Sequence, residues 1–272
     1  MSKQPSGRTG LPVATTGEDA LDVAIRLAQQ AGALVSEAAK RPRPYERKGR
    51  NNFVTETDHS SEELILSGLV KAFPEHALLS EESYPDIPWA EGELWVVDPL
   101  DGTRNFTAGV PLYCVTLAYV RDGVPLLGVT YDPNRDWCLA GGPGLGLRAN
   151  GQPVSTGQAQ DLASSLVTID LGYNDARAAD TLDLMRKLWP GVQSYRVVGS
   201  AALGLAWAAA GLCDLMVHAW LWPWDIAAAL ALIPAGGGVI LDENGATATL
   251  GSRSVVGGAP GPTRELLARR AS

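Results

Sequence analysis

The stretch Trp95-Val96-Val97-Asp98-Pro99-Leu100-Asp101-Gly102-Thr103 constrains the fold more than any other in the chain. An apolar strand that runs straight into two carboxylates three residues apart is costly to bury unless a counter-charge meets them. A metal is the economical counter-charge. Pro99 stiffens the backbone, so Asp98, the Leu100 carbonyl and Asp101 can turn toward one point and offer the oxygen-only donors that a hard cation prefers. Gly102 leaves room for a phosphate to approach the main chain. A helical turn opening at Thr103 would aim free N–H groups at the same spot.

Around this stretch the pattern is mixed. Apolar residues recur at three-to-four spacing from Glu18 to Lys40, which predicts an amphipathic helix ended by Pro42 and Pro44. A second helix is expected after Asp58, with Leu64, Ile65, Leu69 and Val70 on one face. Strands are expected at Leu94 to Val97, Tyr113 to Val120 and Leu126 to Tyr131, the last two joined at Asp122-Gly123, and Asn150-Gly151 marks another tight turn. After Val154, strands and helices alternate: Ser165 to Asp170, Asp175 to Leu188, Tyr195 to Val198, Ser200 to Ala210, Leu212 to Val217, Asp225 to Ala235, Val239 to Leu241. The reading is an α+β chain of layered sheets and helices, with two subdomains, about 17–150 and 151–272, flanking a cleft. Residues 1–16, polar and without an apolar core segment, are expected to form a loose tail.

With 272 residues, nearly half of them apolar, the chain can bury a sizeable core. No apolar run reaches the roughly 20 residues of a spanning helix. Cys114, Cys138 and Cys213 stand singly, which fits buried thiols in a reducing cytoplasm better than bridges or zinc. A formal charge of −8 argues against a broad nucleic-acid or membrane surface.

More acids stand at comparable junctions: Asp58 in "VTETD", Glu81 in "LLSEES" and Asp225 in "WPWDIAAALALIPAGGG". Taken singly, Asp58 and Asp225 read as helix caps and Glu81 as a solvated charge. Together, beside a strand-terminal double Asp, they read as one site.

These segments resemble the inositol monophosphatase family of metal-dependent, lithium-sensitive phosphatases. "WVVDPLDGTRNF" is similar to its first signature and "WDIAAALALIPAGGG" to its second, with "NFVTETD", "LLSEES", "YDPNRD" and "VVGSAAL" in the family's order. The resemblance implies a layered αβαβα sandwich of the inositol monophosphatase and fructose-1,6-bisphosphatase type. It implies that Glu81, Asp98 and the Leu100 carbonyl hold one Mg²⁺, that Asp98, Asp101 and Asp225 hold a second, and that Asp58 and Thr103 orient or deprotonate the attacking water. A third, weaker metal would lie between Glu81 and that water. Gly102 and Thr103 would receive the phosphate. Asp101, Ser200, Ala201 and His218 would complete the substrate contacts, and a cytoplasmic homodimer is the expected form.

The chain departs from the family at His218, where many members carry a Glu that touches a substrate hydroxyl, at Ala235, where an acid is usual, and at Gly204, where Asp is common. The last two read as packing changes. The expected activity is Mg²⁺-dependent hydrolysis of a small phosphomonoester: an inositol-phosphate-like compound, or a sugar, polyol or amino-alcohol phosphate. Histidinol phosphate, fructose bisphosphate and 3′-phosphoadenosine compounds are alternative substrates, and a catalytically silent ligand-binding or regulatory protein is the alternative from another class. The Gly141 to Gly146 run reads as a hairpin connection, Trp220, Trp222 and Trp224 as cleft wall, and His59 and His76 as solvated. Lys48 and Arg50 stand where they could reach the leaving group or phosphate.

Overall fold

The computed structural model describes residues 10–49, 52–83 and 91–270. The first half builds a seven-stranded sheet in sequence order: β3 (Ala77–Ser80), β4 (Glu93–Asp101), β5 (Cys114–Arg121), β6 (Val124–Asp132), β7 (Trp137–Gly142), β8 (Gly146–Ala149) and β9 (Gln152–Pro153). Only β3 and β4 are parallel; the rest is an antiparallel meander. Two of its hairpins turn through left-handed residue pairs, Asp122-Gly123 (φ 49° and 75°) and Asn150-Gly151 (φ 46° and 78°), which match the twist of the strands they join. A separate two-stranded ribbon, β1 (Glu46–Arg47) with β2 (Phe53–Val54), precedes the sheet.

Side-chain alternation along β4 assigns its two faces. Trp95 and Val97 pack with α1 (Ala20–Ala38) and α2 (Glu56–Ala72), whereas Leu94 and Val96 pack with α5 (Ala201–Ala209) and α6 (Pro223–Ala235). The second sheet, in the order β11 (Ser194–Val197), β10 (Leu166–Asp170), β12 (Leu215–His218), β14 (Val255–Gly258), β13 (Val239–Asp242), covers the other side of α5 and α6 through Met216, Ile240 and Val255. Its outer face, with Val167, Ile169 and Val217, buries Met185 and Leu188 of α4 (Asp175–Leu188) and Leu266 of α7 (Pro260–Arg270). The layers are thus α1/α2, sheet, α5/α6, sheet, α4/α7, the expected αβαβα sandwich.

Position explains composition here. The outer helix α1 buries one stripe, whereas α5 and α6, clasped between two sheets, are apolar nearly all round. At Gly128 the sheet approaches α6 so closely that a Cβ would stand 2.5 Å from the Ala228 carbonyl oxygen. Gly204 faces Met216 in the same way, a Cβ there falling 3.0 Å from Sδ, so the glycine is a packing change.

The structure corrects several expectations. The tail does not extend to residue 16, because Leu11 and Ala14 are buried and Thr15 bonds to Lys71 and Ala72 of α2; residues 1–9 lie outside the described residues, as does Arg50. Helix α2 begins at Glu56 rather than after Asp58, with Thr55 as its N-cap. Strand β4 continues through both aspartates, but its register shifts: Asp98 pairs with Thr116 and Asp101 with Cys114, so three steps on β4 oppose two on β5. That bulge lets Asp98 and Asp101, which simple alternation would send to opposite faces, turn to the same side. His76 is buried rather than solvated, stacked on Phe73 at 5.0 Å.

Candidate metal centre and cleft

The acids meet where strand ends and helix starts converge. Asp98 and Asp101 come from the end of β4 and Asp225 from the first turn of α6, and one carboxylate oxygen of each lies within 4.8 Å of the others. Glu81, one residue past β3, stands outside that tight group but within the electrostatic reach of Asp98 and Asp225. Two of them are held locally. Asp225 accepts the Trp222 N–H at 2.6 Å, and Asp98 accepts the Leu100 N–H at 3.1 Å. Asp101 accepts the Ala202 N–H at 2.8 Å and a short hydrogen bond from the Ser200 hydroxyl, which ties β4 to the start of α5.

Desolvation, reinforced by mutual repulsion, raises the carboxyls of Glu81, Asp98 and Asp225 well above the usual range. Asp101 is pushed up to about 6, with burial again the main cause and the Ser200 hydrogen bond opposing it. A buried set of oxygen-only donors that cannot all ionise by itself fits a hard divalent cation.

Beside this group Asp58, at the third position of α2, is wholly buried. Its Oδ2 accepts the Thr55 N–H at 2.8 Å in a capping box, and its Oδ1 lies 2.9 Å from Thr103 Oγ1. Thr103 Oγ1 is also 3.0 Å from the Leu100 carbonyl oxygen. Burial lifts Asp58 to about 6 against these hydrogen bonds, with Glu82 adding to the rise. Gly102, with φ 92°, caps α3 (Thr103–Ala108), and a Cβ there would meet the Leu112 carbonyl oxygen at 2.9 Å. Both its conformation and its space therefore demand glycine.

A cavity of about 310 Å³ opens next to the carboxylates, lined by Asp101, Gly102, Ser200, Ala201, His218 and Asp225, with Tyr173 and Trp220 also in its wall. His218, the last residue of β12, is buried; its Nδ1 accepts the Trp220 N–H at 3.1 Å, and desolvation pushes its pKa down to about 4. The ring is therefore neutral at pH 7 with its proton on Nε2. Trp222 and Trp224 stack at 5.4 Å with Arg253 over the Trp222 ring at 4.2 Å, so these two build wall while Trp220 reaches the cavity.

Sequence reading missed Asp170, which ends β10 beside His218, lines the cavity and is held by the N–H groups of Leu171, Gly172 and Gly199. Its signal, an acid directly after the apolar run Leu166-Val167-Thr168-Ile169, is the one that marked Asp98. Glu62 was also missed: it accepts Ser83 N–H at 3.0 Å and the Ser83 hydroxyl at 2.8 Å, fixing the turn that carries Glu81.

The pattern of the inositol monophosphatase family matches residues 17–272. Inositol monophosphatase 3 of Solanum lycopersicum is 34% identical over 244 residues, spanning 88% of this chain and 91% of that protein. The Nus factor SuhB of Escherichia coli K12 is 33% identical over 251 residues, 91% of this chain and 94% of its own. Among solved structures, the Thermotoga maritima IMPase shares the fold with a TM-score of 0.84 at 29% identity, covering 92% of this chain and 96% of that one. With the two signature segments meeting at one acidic centre in this fold, the chain belongs to the inositol monophosphatase family.

Proposed function

We propose that this protein is a Mg²⁺-dependent phosphomonoesterase acting on a small sugar, polyol or amino-alcohol phosphate, as one phosphatase domain whose halves, about 17–150 and 151–272, act as subdomains. The observation that carries the reading is the convergence of Asp98, Asp101 and Asp225 beside the hydrogen-bonded pair Thr103 and Asp58. Metal dependence belongs to the family; the assignment to Mg²⁺ rests on the oxygen-only donor set. Glu81, Asp98, the Leu100 carbonyl, Asp101 and Asp225 would hold the ions. When bound, Mg²⁺ neutralises phosphate charge and lowers the pKa of water.

The chain's own residues would then act as follows. Thr103 Oγ1 accepts a proton from the attacking water as its own passes to Asp58 Oδ1, a base whose pKa of about 6 suits work near neutrality. The new P–O bond forms as the ester P–O bond breaks, and the leaving oxygen takes a proton from solvent and departs as the alcohol. Gly102 and Thr103 seat the phosphate, and Ser200 keeps Asp101 aimed. The acting form we propose is a cytoplasmic homodimer. Three buried free thiols support the compartment, and the exposed apolar residues Val197, at the β11 sheet edge, and Leu212 support the assembly. Among the described residues no helix is long and apolar enough to cross a membrane.

Phosphate release from a panel of phosphomonoesters, with Mg²⁺ and with excess EDTA, tests the reading. Asp98→Asn should lower turnover by more than roughly a hundredfold while the protein stays folded. Hydrolysis that persists in EDTA would refute the metal mechanism. The relative named as a Nus factor favours a second reading, a phosphatase-like protein that acts by binding. That reading requires the same panel to give no metal-dependent release.

A further inference from the structure

Lys48, just past β1, reaches the carboxylate next in sequence to Glu81: its ammonium donates to Glu82 Oε2 in a very short contact. The Glu82 side chain is only 1% exposed, and its second oxygen, Oε1, is buried with no hydrogen-bond partner among the described residues. A buried carboxylate with one oxygen unmet is held by a charge it only half satisfies, and the Lys48 side chain itself is 32% exposed. The pair is fixed from both ends. Lys48 and Gly49 donate their N–H groups to the Asn52 carbonyl at 3.0 and 3.3 Å, and Glu62 pins the turn that carries Glu81 and Glu82 through Ser83. The ammonium's field also reaches Glu81, where it opposes the rise caused by burial and by Asp225 and Glu82.

An acidic centre suited to divalent cations thus has a monovalent cation tethered at its Glu81 end. Lys48 cannot be a ligand, since an ammonium only donates. Its charge shares with any bound metal the negative field at Glu81. We propose that Lys48 is a tethered counter-cation that competes with metal at the Glu81–Glu82 end of the centre and keeps metal binding weak enough for ready exchange. The proposal rests on the metal-centre reading above.

Calorimetric titration of the full-length, EDTA-stripped protein with Mg²⁺ and with Mn²⁺ tests it. Lys48→Met should tighten divalent binding by about three- to tenfold and Glu82→Gln should weaken it, as expected for charges whose field reaches Glu81. Lys48→Arg should return the affinity to within about twofold of wild type, which a purely structural pair would not require. In the Lys48→Met/Glu82→Gln double variant the two effects should fail to add. A Lys48→Met protein that binds metal as wild type does, or more weakly, would overturn the proposal. Wild type that binds no divalent ion would instead sink the metal-centre reading itself, and the proposal with it.

Discussion

His218 has a single hydrogen-bonding direction left to offer a ligand. With Nδ1 taken by the Trp220 N–H and the ring held neutral by burial, Nε2–H can only donate, whereas the Glu that many family members carry there accepts from two hydroxyls. Inositol 1-phosphate should therefore be a poor or merely tolerated substrate, and His218→Glu should raise its kcat/KM relative to the best native substrate by about an order of magnitude. An unchanged substrate ratio in the variant would mean that the ring only packs. Single residues of the centre were legible when they sat in one contiguous stretch, as Asp98, Asp101, Gly102 and Thr103 do. The partners that aim them were not. Ser200 gives its hydroxyl to Asp101 from 99 positions away, and no local pattern encodes that meeting. His76 misled for a similar reason: a polar residue after a helix looks solvated until Phe73 and Tyr119 close over it.

Among the elements, α6 carries the most consequence, because its first turn holds Asp225 while its flank rests directly on β6. A methyl at position 128 would stand 2.5 Å from the Ala228 carbonyl oxygen and 2.8 Å from its Cα, both backbone atoms that cannot rotate aside. Gly128→Ala should therefore destabilise the protein by about 1–3 kcal/mol and, by moving α6, weaken metal binding as well. Chemical denaturation with and without Mg²⁺ measures both, and a variant as stable as wild type would show that the two layers can part without strain. Elements with a clear period were readable in advance, α1 by its stripe and α4 to the residue. The start of α2 was misplaced because Asp58 serves as the third helical residue of a capping box rather than as the cap. The last strand and helix gave little signal: Val255 to Gly258 ends in two glycines, and α7 opens with Pro-Gly-Pro.

For the whole molecule, the acidic centre sets an unusual dependence on pH. Asp58 and Asp101 titrate at about 6 in the folded chain, above the ordinary 3.8, and Glu81, Asp98 and Asp225 are raised as well. The metal-free native state therefore keeps protons that the unfolded chain releases, so these groups remove stability as pH rises through and beyond that window. His218 acts in the opposite sense, losing stability as pH falls from 6.5 toward 4, and burial lowers His76 as well, but these are two groups against six raised acids, Asp170 among them. The melting temperature in EDTA should be lower at pH 7.5 than at pH 5.5, and Mg²⁺ should raise it most at pH 7.5, by several degrees. A melting temperature in EDTA that is flat or climbs with pH would contradict this electrostatic account. The layer order was legible only through family resemblance, because periodicity tells a one-sided helix from one buried all round without saying which sheets enclose it. The bulge between Asp98 and Asp101 makes the centre a matter of parity. One residue more or fewer there would hand a carboxylate to the α1/α2 side with every chemical group still present. What lineages of this chain must therefore inherit unchanged at this point is a count of residues, and a gap in that count would silence the centre as surely as the loss of an aspartate.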